Sequence, residues 1–134
     1  MRKQRNKMAE EAKNIRQTAK GRFTRKRNEL IKSIEISGIE IIESNYTSLV
    51  EAWSIVESKH DLYTMYLEDE EIEVADEWIT NLQDLFAEAK KLKITYVNNI
   101  TAIEAKERAE AEHRELQKRE REQIQRMIDQ SLIK

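Results

Sequence analysis

Cysteine and proline are both absent from this 134-residue chain, and glycine occurs only twice. Without cysteine there is no disulfide framework, no thiolate nucleophile and no Cys-ligated zinc or iron–sulfur site. With so little proline and glycine, almost nothing punctuates a helix, which argues against a sandwich, a barrel or a Gly-rich nucleotide loop. Long apolar runs are missing too, since none approaches about eighteen residues. The N-terminal MRKQRNKMAEEAKNIRQ has no apolar h-region, and Arg2 in place of glycine excludes N-myristoylation. An intracellular, cytoplasmic protein with no integral membrane association is expected. Gly-x-Gly-x-x-Gly, a Walker loop, Asp-Thr-Gly or Asp-Ser-Gly and a nucleophile elbow are all lacking. Acid pairs abound, but on exposed helices they lack the concave, desolvated site that would tune them. Neither enzymatic activity nor a cofactor is expected.

What is present is charge: 37% of residues are charged against 39% hydrophobic, a balance that favours helices with one apolar stripe. The net charge of -2 hides a segregation. Residues 1–27 hold 11 basic and 2 acidic groups (+9), residues 28–89 hold 2 and 16 (-14), and residues 90–134 hold 11 and 8 (+3). Two helix boundaries can be argued. In ISGIEI, Ser37 and Glu40 form a capping box, with Ile36 and Ile41 as its hydrophobic staple. The rival is a hairpin, because SIEI and IEII alternate around Ser-Gly, but so short an isolated hairpin is marginal. In YLEDEEIEVADEW, Asp69 caps a second start, with Glu70, Glu71 and Glu73 on the first turn complementing the helix dipole. Three helices follow, at about 2–36, 38–68 and 70–131.

The second helix carries the clearest periodicity. Ile39, Ile42, Tyr46, Leu49, Trp53, Val56, His60, Tyr63 and Leu67 alternate spacings of three and four, a coiled-coil seam broken only by His60. The third answers with Ala75, Ile79, Leu82, Phe86, Ala89, Tyr96, Ile100 and Ile103, widened by Trp78, Leu85 and Leu92. The first offers Met8, Ala12, Ile15, Ala19, Phe23, Leu30 and Ile34, a stripe that weakens between residues 24 and 29 and contains Gly21. From these patterns the helix-packing interface is Ile42, Tyr46, Leu49, Trp53, Val56, Tyr63, Leu67, Trp78, Leu82 and Phe86. The expected fold is all-α: an elongated antiparallel helical hairpin or three-helix coiled-coil-like arrangement with a long projecting C-terminal helix. It divides into a basic helix (1–36), a helical core (37–103) and a charged tail (104–134). In the tail, Glu104–Arg108, Glu110–Arg114, Glu115–Arg119 and Glu122–Arg126 all have the favourable i, i+4 order, each worth about 0.2–0.5 kcal/mol.

The basic block TAKGRFTRKRNEL poses a functional question. Lys20, Arg22, Arg25, Lys26 and Arg27 could neutralise RNA or DNA phosphates without sequence specificity, with Phe23 as a stacking platform. Against this, Phe23 is in phase with Ala19 and Leu30, as a core residue would be, and an acidic neighbour could pair with the cations. The apolar side of this helix is thin for a membrane surface. Both histidines sit in Glu-x-x-His (Glu57/His60 and Glu110/His113), the spacing of di-iron helices. His113, however, has no apolar face around it, and His60 on the seam reads better as a hydrogen-bonded polar interruption that sets register. The acidic cluster Glu68–Glu77 fails as an EF-hand because Val74 stands where the loop needs glycine. No metal ligand set is expected.

Taken in order, AKGRFTRKRNEL, SLVEAWSIVESKHDLYTMYLEDEE and DEWITNLQDLFAEAKKLKITYV resemble the N-terminal helical region of Gag polyproteins from Pao/BEL-type LTR retrotransposons of animals. The resemblance spans about residues 16–97. It implies a Gag-derived assembly or interaction segment. The zinc knuckle and aspartic protease of a full element are absent, which would make this a fragment or a separately encoded remnant, and the tail from Ala105 lies outside the resemblance. The leading expectation is a non-enzymatic structural or interaction protein that self-associates or binds other helical proteins through coiled-coil packing. The alternative is a nucleic-acid-binding accessory using the basic helix.

Overall fold

The structure, a computed structural model, describes residues 2–133. It is all-helical, with α1 at Arg2–Ile36, α2 at Ile39–Thr64 and a long C-terminal α3 at Asp69–Ile133. The chain divides into two compact units, one ending at Tyr96 and one beginning at Val97.

In the first unit α1, α2 and the opening turns of α3 form an up-down-up bundle. The antiparallel order of α1 and α2 follows from which residues meet. Arg5 Nε donates to the Tyr66 carbonyl at 3.3 Å, Arg16 meets His60, and the rings of Phe23 and Trp53 lie 5.4 Å apart. Between α2 and α3 the pairs are His60 with Asp76, Trp53 with Phe86 and Glu43 with Lys93, again antiparallel. The core lies where the three stripes converge: Phe23, Leu30, Ile42, Leu49 and Val56 are fully buried, each worth about 1.5–3 kcal/mol. Buried Ala12, Ala19, Ala52, Ala75 and Ala89 put small side chains along the same lines.

The first turn corrects the expected capping box. The N-cap of α2 is Gly38, with extended φ -77 and ψ 169 and no side-chain cap bond. The reason lies in α1: the Ser37 amide already donates to the Ser33 carbonyl at 2.8 Å, so Ser37 ends one helix and cannot offer its amide to Glu40. Ile36 and Ile41, the expected staple, are 74% and 54% exposed. At the second turn α2 stops at Thr64, four residues before the expected end, with Tyr66 and Leu67 amides bonded three residues back to Tyr63 and Thr64. Leu67 therefore belongs to the turn and not to the seam. The first α3 bonds are accepted by the Glu68 carbonyl from Glu71 and Ile72, so Asp69 is the first helical residue and Glu68 holds the capping position.

The stripe of α1 also differs from expectation. Met8 and Ile15 are nearly half exposed, whereas Arg16 is 6% exposed. The buried line runs through Ala12, Arg16, Ala19, Phe23 and Leu30. The apparent gap at residues 24–29 is bridged by Arg27, whose largely buried side chain reaches α3: Nε donates to the Leu85 carbonyl at 3.0 Å and Nη2 pairs with Glu88 at 3.2 Å. The basic helix is thus part of the bundle and not a separate segment.

In the second unit α3 is helical through Ile133. Every residue from Thr101 to Leu132 is exposed. Of the four expected i, i+4 pairs, Glu115–Arg119 closes, at 3.6 Å. No helix among the described residues is long and apolar enough to cross a membrane.

Candidate functional site

The interface expected from spacing is the interior of one chain. Ile42, Leu49, Trp53, Val56 and Leu82 are buried, and Tyr46, Trp78 and Phe86 pack against them; Tyr63 and Leu67 are partly buried. At its centre Phe23, Trp53 and Phe86 form an aromatic trio, with Trp53 and Phe86 stacked at 5.4 Å and Phe23 tilted against both. Phe23 is 0% exposed, so it cannot serve as a stacking platform for bases.

The five candidate nucleic-acid contacts are dispersed by the same packing. Arg27 is committed to Leu85 and Glu88, and Lys26 pairs with Glu29 at 3.4 Å. Lys20 lies 6.0 Å from the Trp78 ring centre. Arg22 and Arg25 are exposed and make no ion pair among the described residues. With Arg5 on Glu68 at 3.8 Å, part of the basic charge of α1 is answered by the acidic middle of the chain, as the segregated charges implied.

The most unusual chemistry is one that spacing did not single out. Arg16 projects from α1 into the bundle, its guanidinium carbon 4.2 Å from the Tyr63 ring centre and 3.9 Å from that of Trp78. Such sandwiching is worth about 0.5–2 kcal/mol per face. Its Nη1 lies 3.3 Å from His60 Nδ1, and His60 Nε2 lies 3.4 Å from Asp76 Oδ1. Because a guanidinium can only donate, Nδ1 must accept, and the imidazole proton is assigned to Nε2, where it faces the carboxylate. His60 is also stacked on Trp78 at 5.8 Å. It is therefore the hydrogen-bonded interruption of the seam, held by Arg16 and Asp76 and not by Glu57. Arg16 Nε is buried with no hydrogen-bond partner among the described residues. Burial pushes the guanidinium below its ordinary pKa, opposed by the favourable field of Tyr63; it nevertheless stays a cation at any physiological pH.

Above this residue lies a groove of about 420 Å³ between α1 and α3, lined by Lys13, Arg16, Tyr63, Glu70, Glu71, Val74, Ala75 and Trp78. Among the described residues no three metal-ligating side chains gather. In the second unit, Ile124, Met127, Ile128, Ser131 and Leu132 line a shallow depression on one face of α3, the i, i+3, i+4, i+7, i+8 pattern of an apolar helix face.

These features define a three-helix bundle with an internal arginine–aromatic cluster. No protein-family model, curated protein or solved structure matches the chain.

Proposed function

We propose that this chain is a non-enzymatic helical interaction protein that self-associates, a Gag-like assembly segment in character, and that the second unit provides the contact. The observation that carries this reading is the apolar face of α3 at Ile124, Met127, Ile128 and Leu132, which are 57%, 63%, 48% and 78% exposed. The bundle's own seam is consumed inside the chain, so coiled-coil packing between chains falls to this face. A second copy is the favoured occupant because residues 105–134 carry 8 basic and 7 acidic groups. Two such helices are close to neutral and do not repel, whereas nucleic acid or an anionic membrane would be met by nearly as many acidic groups as basic ones. Full burial of each side chain is worth about 1.5–3 kcal/mol, which over two copies is of the same order as an association cost of about 4–15 kcal/mol. The association is accordingly weak and concentration-dependent.

The lack of native cysteine supplies a direct test. Ser131→Cys places one thiol on the apolar face, and Ser54→Cys places one on the exposed side of α2. Under mild oxidation the first is expected to form disulfide-linked dimers much faster than the second. Equal rates would overturn the reading.

A further inference from the structure

We infer that the groove between α1 and α3 above Arg16 is a binding site for a small zwitterion bearing a carboxylate, an ammonium and an apolar side chain, the chemistry of a free α-amino acid. Arg16 is only 6% exposed, yet among the described residues no carboxylate lies within ion-pair distance of it, and its one hydrogen-bond partner there is an imidazole nitrogen. A buried cation is ordinarily paired, because the desolvation of an unpaired charge is among the largest costs in a protein interior. Here Asp76 is reached only through His60, and Nε has no acceptor. The nearest carboxylate is thus held one imidazole away, and none touches the guanidinium directly among the described residues.

The groove that Arg16 lines has the size of a small-ligand site. Its walls divide by chemistry. Lys13 stands with Arg16 on the α1 side, Glu70 and Glu71 on the α3 side, and Trp78 and Val74 supply apolar surface between them. A simple anion entering this groove meets Glu70 and Glu71, and a simple cation meets Lys13 and Arg16. A molecule with both charges satisfies both walls, its carboxylate toward Arg16 and its ammonium toward the glutamates. Its apolar side chain then lies along Trp78.

The Trp78 indole N–H signal in a proton–nitrogen correlation spectrum, assigned with Trp78→Phe, reads occupancy on the intact chain. L-Leucine and L-phenylalanine are expected to shift it saturably below about 10 mM, with isovalerate and isoamylamine binding roughly tenfold more weakly. Because Arg16→Met can disturb the bundle, the discriminating variant is the exposed pair Glu70→Gln/Glu71→Gln, in which leucine should lose its advantage over isovalerate. A Trp78 signal unmoved by either amino acid up to about 10 mM, or isovalerate matching leucine on the native chain, would overturn the assignment.

Discussion

Phe23 sits in the middle of the basic block, where sequence allows either a base-stacking ring or a core ring, and its replacement by alanine separates the two. The side chain is 0% exposed and contacts Trp53 and Phe86 at ring-centre distances of 5.4 and 6.4 Å. Emptying a fully packed phenylalanine site costs about 3–5 kcal/mol, because the cavity collapses only in part. Against a total stability of about 5–15 kcal/mol for a domain, that loss is severe. For a unit ending at residue 96, a change of about 4 kcal/mol lowers Tm by roughly 16–32 °C. Tryptophan fluorescence is the suitable probe, since Trp53 and Trp78 both lie in the bundle and the second unit is silent. Phe23→Leu, which keeps the site apolar and mostly filled, should cost about 1–1.5 kcal/mol. A Tm drop below about 5 °C for Phe23→Ala, accompanied by lost RNA retention, would refute the core assignment and restore the stacking role.

Gly21 lies inside α1 with no positive φ, and an added Cβ would meet only Arg25 Nη1, at 3.9 Å; Gly21→Ala should stabilise by about 0.5–1 kcal/mol in chemical denaturation. His60→Leu leaves the Arg16 cation without its acceptor, so the double variant Arg16→Met/His60→Leu should be at least as stable as His60→Leu alone, a coupling of about 0.5–3 kcal/mol. Additive losses in that cycle would show that the two side chains do not act together. Arg27→Met should destabilise by about 1–2 kcal/mol through its α3 contacts, whereas Arg22→Glu/Arg25→Glu should stay within about 0.5 kcal/mol of the native chain; equal effects would mean that Arg27 is no more committed to the bundle than Arg22 and Arg25.

The helical architecture was legible because it rests on one-dimensional periodicity. The alternating three–four spacing of Ile42, Tyr46, Leu49, Trp53 and Val56 marks the packed face of α2, and Leu82 with Phe86 marks its counterpart on α3. What spacing alone hides is a core line that passes through charged residues. Ala12, Arg16, Ala19, Phe23, Arg27 and Leu30 keep helical spacing, but two arginines make the stripe look interrupted, and Ile15 beside it draws attention to the wrong face. A long aliphatic stem with a planar, stackable head can hold a core position that a residue-type rule denies it. The Arg16 cluster needs side chains from three helices in angular register, which no single stretch encodes. The cap at Ser37 failed for a different reason: one amide cannot end α1 and receive a capping side chain as well.

Self-association through α3 is read by absolute molar mass from light scattering over a concentration series at physiological salt. The mass is expected to rise above the single-chain 15.9 kDa with concentration, and to return to that value in Ile124→Glu/Ile128→Glu/Leu132→Glu with the tryptophan melt unchanged. A native chain fixed at one-chain mass throughout, or a triple variant that associates as the native chain does, would contradict it.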